Sequence, residues 1–147
     1  MERQPPPPEE AASKGQGWSW QRLLTAFYAL LLLAGSTVTP GGLPRLFDWG
    51  ELLSADKIAH FGAYAVFAVL LAFSFADQRR NDAVARGILF ASLFGALMEV
   101  LQGLMNTGRE ADLLDMIANL VGALLGGLFS FLFWDKIKKY LTTVGSL

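Results

Sequence analysis

Residues 87–104 carry one ionisable side chain, Glu99, and residues 58–76 carry only His60. A helix in a water-soluble bundle presents a charged face to solvent, and neither stretch has the residues to build one. Two more apolar stretches, 23–38 and 113–134, accompany them. Crossing ~30 Å of hydrocarbon takes about 20 helical residues. The first stretch is the shortest, but Trp18, Trp20 and Arg22 can extend it into the interface. The expected fold is an all-α integral membrane four-helix bundle with spans at about 18–38, 57–76, 86–105 and 112–134. A composition that is 53% hydrophobic agrees with it.

Orientation follows from how the basic residues divide. If the chain enters and leaves on one side, Arg3, Lys14, Arg22, Arg79, Arg80, Arg86, Lys136, Lys138 and Lys139 share that side, against Arg45, Lys57 and Arg109 on the other. Nine against three predicts both termini inside, N-in and C-in, in a multi-pass protein of the cytoplasmic membrane. Residues 1–17, rich in Pro, Glu, Gly and Ser, read as a disordered cytoplasmic tail ahead of one bundle domain, 18–140. That long polar tail makes the first span a retained helix rather than a cleaved signal. Pro40, Gly41, Gly42 and Pro44 stop the first helix, and residues 46–57, too short to span, are expected in the outer interface. The chain has no cysteine, which excludes disulfides, thiolate nucleophiles and thiolate-bound metals. Membrane lipids are the expected partners, and no nucleic acid is.

Within the last two spans, small and polar residues keep one spacing. Ser92, Gly95, Glu99, Gln102 and Asn106 step by three, four, three and four, and so do Asp112, Asp115, Asn119, Gly122 and Gly126. Each set forms a single helical stripe. The short linker between them is rich in turn formers, so the two helices should be antiparallel neighbours with their polar ends together. Asp56, His60 and Tyr64, at i, i+4 and i+8, bring a third segment to that outer end. Asp56, Lys57, His60, Tyr64, Glu99, Gln102, Arg109, Asp112, Asp115 and Asn119 therefore form a candidate polar pocket.

Glu99 and Asn119 lie roughly 8 Å inside their helix ends at 1.5 Å per residue. An unpartnered carboxylate at that depth costs several kcal/mol, so Glu99 must be paired, protonated or wetted. A structural reading pairs Arg109 with Asp112 or Asp115, Asn119 with Gln102, and His60 with Glu99, each contact contributing ~0.6–2 kcal/mol. It assigns Gly95, Gly122 and Gly126 to close helix packing. Three chemical readings stand beside it. His60 with Glu99, Asp112 and Asp115 could hold a divalent cation, but one histidine and no HExxH-type spacing leave no metal or other cofactor assigned. His60 and Glu99 could act as an acid and base pair on a lipid-linked substrate, although no serine or threonine sits in a nucleophile motif. Arg109 and Lys57 could hold a headgroup phosphate while Glu99, Gln102 and Asn119 supply hydrogen bonds. The expectation is a non-enzymatic protein binding a lipid headgroup or amphiphile, with a membrane enzyme, and then a carrier coupled to protons through Glu99, as alternatives.

At these residues the sequence resembles the VanZ-like family, small membrane proteins named for a teicoplanin-resistance protein. The likeness lies in DKIAHFGAY at 56–64, EVLQ at 99–102 and GREADLLDMIANLVGALLG at 108–126, covering the last three spans. The resemblance implies an integral membrane protein of the bacterial envelope and a link to glycopeptide tolerance. It supplies no catalytic mechanism.

Overall fold

A computed structural model describes residues 20–37, 55–104 and 112–144. They form helices α1 (Trp20–Thr37), α2 (Ala55–Ser74), α3 (Arg80–Leu104) and α4 (Leu113–Val144), and no strand occurs among them. The expected tail, the Pro and Gly stop after the first helix, residues 46–54 of the interfacial segment, and Arg109 lie outside the described residues, while residues 55–57 open α2. α2, α3 and α4 are long and apolar enough to cross a membrane, with mean hydropathies of 1.6, 1.7 and 2.0 in their spanning windows. α1, at 18 residues, begins with Trp20, Gln21 and Arg22, which lower its average.

The packing is inverted relative to a water-soluble protein. The largest fully buried side chains among the described residues are Glu99, Asn119 and Ser130, while Leu104, Leu113 and Leu132 are 75%, 68% and 66% exposed. Leucines outside and carboxamides inside are stable only where the surroundings are hydrocarbon, because there the polar groups must find partners within the protein.

α2 is the central element, packed on α4, α3 and α1. Small residues set its distance from its neighbours. A Cβ on Gly122 or Gly126 would collide with the carbonyl oxygens of Phe61 and Ala65, and one on Gly87 would stand 2.9 Å from the Ala68 oxygen. Backbone rests on backbone at these crossings, the contact that small residues permit in membranes. The stripe of Gly95, Glu99 and Gln102 and that of Asp115, Asn119, Gly122 and Gly126 are both buried.

α1 packs Tyr28, Ala29 and Leu32 on the core and adds hydrogen bonds to α2. Tyr28 Oη donates to Ala63 O at 3.1 Å, Thr25 Oγ1 lies 3.1 Å from Leu70 O, and Arg22 Nε donates to Ser74 O at 3.3 Å. Polar side chains of one helix thus address successive carbonyls of the next.

Two helices extend beyond their apolar stretches. α3 starts at Arg80 rather than near 86, because Ala83 and Val84 are buried and join Ala72, Phe73 and Trp134 in one cluster. α4 runs past Trp134, whose ring stacks on Phe73 with centroids 4.9 Å apart, and Lys138 Nζ donates to Ala76 O at 2.9 Å. Arg22, Arg79, Arg80, Arg86, Lys136, Lys138 and Lys139 therefore gather at one end of the bundle, opposite Lys57.

Candidate polar site at the end of the bundle

The antiparallel order of α2, α3 and α4 brings the start of α2, the end of α3 and the start of α4 together. Lys57 and His60 come from α2, Glu99 from α3, and Asp115 and Asn119 from α4, with Asp112 immediately before it.

An outer layer is built on Lys57. Its Nζ donates to Asp112 Oδ2 at 3.0 Å and forms an ion pair with Asp115 Oδ1 at 3.3 Å. Asp112 also caps α4, its Oδ1 accepting the Leu114 N–H at 2.7 Å. The Lys57 ammonium holds the Asp112 carboxyl below the usual aspartate range. With its folded value lowered, this clamp is in place at neutral pH and is lost only in acid, as pH falls through that value.

An inner layer centres on His60. Its Nδ1 lies 3.1 Å from Asn119 Oδ1 and 3.9 Å from Glu99 Oε1, while Nε2 lies 3.9 Å from Asp115 Oδ2. Glu99 and Asn119 are each only 1% exposed. Glu99 Oε2 accepts the Asp112 N–H at 3.4 Å, whereas Glu99 Oε1 and Asn119 Nδ2 have no hydrogen-bond partner among the described residues. Buried polar atoms are nearly always partnered, so these two make the cluster a candidate site. Tyr64 belongs to the apolar core, its ring edge-on to Phe67 at 6.3 Å.

One pairing differs from expectation. Gln102 does not meet Asn119. It is buried but donates to Ser36 O of α1 at 3.2 Å, while Asn119 addresses His60. The glycines below Asn119 seat α4 directly on the α2 backbone, so His60 is the nearer partner. Lys57 holds Asp112 and Asp115, and their expected pairing with Arg109 lies outside the described residues. Asp56 is in the first turn of α2, and its side chain lies outside the described residues.

Sequence reasoning missed an apolar groove beside this layer. Ile58 and Phe61 of α2 and Leu114, Ile117, Ala118 and Val121 of α4 line a volume of about 450 Å³ that ends at Lys57. Apolar residues inside apolar spans carry no signal in a sequence, so only the helix crossing reveals it.

A family model described as VanZ/LLP1 matches residues 10–134, and the chain belongs to that family. It is also similar to a protein of Schizosaccharomyces pombe described as uncharacterised, with 28% identity over 117 residues, 79% of this chain and 67% of that protein. No solved structure matches.

Proposed function

We propose that this VanZ/LLP1 family member is a multi-pass protein of the cytoplasmic membrane that binds an amphiphile with an amine-bearing phosphate headgroup. The observation that carries the reading is the apolar groove ending at Lys57, whose side chain is 14% exposed and flanked by Asp112 and Asp115. An acyl chain fits the groove by its lining, and its volume lies within the usual range for small-ligand sites. Beside Lys57 stand Asp112 and Asp115, two carboxyl groups against one ammonium, so the mouth favours the cationic end of a headgroup. A phosphate would approach Lys57 while the ammonium approaches the more exposed Asp112.

A relative in a fungus favours a headgroup class shared by distant membranes over one confined to bacterial envelopes. The link to teicoplanin-type tolerance enters through the same chemistry. A bacterial envelope protein that holds amine-headed amphiphiles at the outer leaflet changes what an envelope-directed antibiotic meets.

Native mass spectrometry of the chain released from non-ionic detergent tests this with lipids of equal acyl chains. Phosphatidylethanolamine should be retained about fivefold better than phosphatidylglycerol, the ratio that ~1 kcal/mol of ion pairing supports. Ala118→Trp, which fills the groove without touching Lys57, should abolish the difference. Equal retention of the two lipids, or an unaffected Ala118→Trp variant, would sink the reading.

The outward mouth is a proposal of its own, supported by the basic residues at the opposite end of the bundle. In the cysteine-free background, Asn81→Cys should resist an impermeant thiol reagent in intact cells, and Asn106→Cys should react. Labelling of Asn81→Cys from outside would reverse the orientation.

A further inference from the structure

Beneath the Lys57 layer, His60, Glu99 and Asp115 can each offer one ligand atom such that all three atoms lie within 4.8 Å of one another. We propose that these residues bind a divalent transition-metal ion of the Zn²⁺ or Mn²⁺ class. The inference does not rest on the amphiphile reading, since it needs only these side chains and their supports.

The first argument is distance. Ligands about 2.0–2.2 Å from a tetrahedral ion stand roughly 3.3–3.6 Å apart. His60 Nε2 and Asp115 Oδ2, at 3.9 Å, are near that spacing, Glu99 Oε1 lies 3.9 Å from the other ring nitrogen, Nδ1, and one ligand atom from each of the three side chains falls within 4.8 Å of the others. Small side-chain rotations close the remaining gap.

The second is Glu99 itself. It is 1% exposed, and its Oε1 faces the histidine with no hydrogen-bond partner among the described residues. A cation between the three side chains would satisfy that oxygen and offset the cost of burying two carboxylates.

The third is how each residue is held. Asn119 Oδ1 meets His60 at Nδ1, Lys57 meets Asp115 at Oδ1, and the Asp112 N–H meets Glu99 at Oε2. That leaves His60 Nε2 facing Asp115 Oδ2, and Glu99 Oε1 without a hydrogen-bond partner among the described residues. Outer partners that orient ligands in this way are a regular feature of metal sites. One imidazole with two carboxylates and no thiolate suits Zn²⁺ or Mn²⁺ better than Cu⁺, and the nitrogen ligand disfavours Ca²⁺ and Mg²⁺.

The test uses the full chain without a histidine tag, stripped with chelator in non-ionic detergent at neutral pH and with no lipid added. Zn²⁺ is titrated by calorimetry, and Mn²⁺ by electron paramagnetic resonance. The expected result is about one ion per chain, with affinity falling at least about tenfold in Glu99→Gln, and a rise in melting temperature on adding ion to the wild type only. His60→Gln should behave alike. Failure of the wild-type chain to take up a stoichiometric ion would overturn the proposal whatever the variants do, as would a folded Glu99→Gln variant that binds like the wild type. Metal binding without lipid selectivity leaves this inference standing and removes the amphiphile reading, and the reverse result separates them the other way.

Discussion

Gly122→Leu and Gly126→Leu are each expected to abolish the folded bundle. A Cβ at either position meets a backbone carbonyl of α2, that of Phe61 or of Ala65, and a carbonyl inside a helix cannot turn aside as a side chain would. Relief requires moving α4 away from α2. That would open the most extensive contact in the molecule and separate Asn119 from His60 as well. Overpacking usually costs 1–3 kcal/mol, and displacement of backbone against backbone belongs above that range. Leu124→Ile is the control, since Leu124 is on the lipid-facing side of the same helix. Thermal melting and size-exclusion profiles in detergent should show the glycine variants aggregated or melting far below the wild type, with Leu124→Ile close to it. Matching melting temperatures in all three variants would mean that α4 does not rest on α2 as described.

Those glycines also show why so much of the fold is legible in the sequence. Among long apolar stretches, the few polar and small residues carry nearly all the positional information, and the spacing of Glu99, Gln102, Asp115, Asn119 and Gly122 states which side of each helix faces inward. What the spacing cannot state is which inward-facing residue meets which. The pairing of Gln102 with Ser36, rather than Asn119, depends on where α1 lies, and α1 holds its place through Tyr28, Thr25 and Arg22, ordinary residues in a sequence. Helix ends are likewise set by tertiary packing. α3 begins early because Ala83 and Val84 have a core to enter, which hydropathy does not register.

The candidate site divides in the same way. The presence of His60, Glu99, Asp112 and Asp115 at one end follows from the antiparallel order of α2, α3 and α4. Their separation into a layer clamped by Lys57 and a layer with orphaned atoms follows from individual distances. That division predicts opposite outcomes for two carboxyl groups that look equivalent in the sequence. Asp115 is in an ion pair with a largely buried ammonium, so Asp115→Asn removes one of the charges that hold Lys57 and should lower the melting temperature. Glu99 has one oxygen on a long 3.4 Å bond and the other on none, so the ligand-free fold carries a desolvation cost that an uncharged, isosteric amide relieves.

Glu99→Gln is therefore expected to raise the melting temperature of the ligand-free protein. An unpartnered buried polar atom costs ~1–3 kcal/mol, and each kcal/mol shifts the melting point of a chain this size by about 2–4 °C. A residue kept for structure behaves otherwise, because removing its charge breaks the interaction that justified it. Stability gained where a binding residue is neutralised is the signature of a site held at the expense of the fold. The two variants are compared at neutral pH, chelated and without added lipid, by thermal melting in one detergent. A fall in melting temperature for Glu99→Gln comparable to that for Asp115→Asn would mean that Glu99 is a structural member of the network and that its orphaned oxygen marks no site.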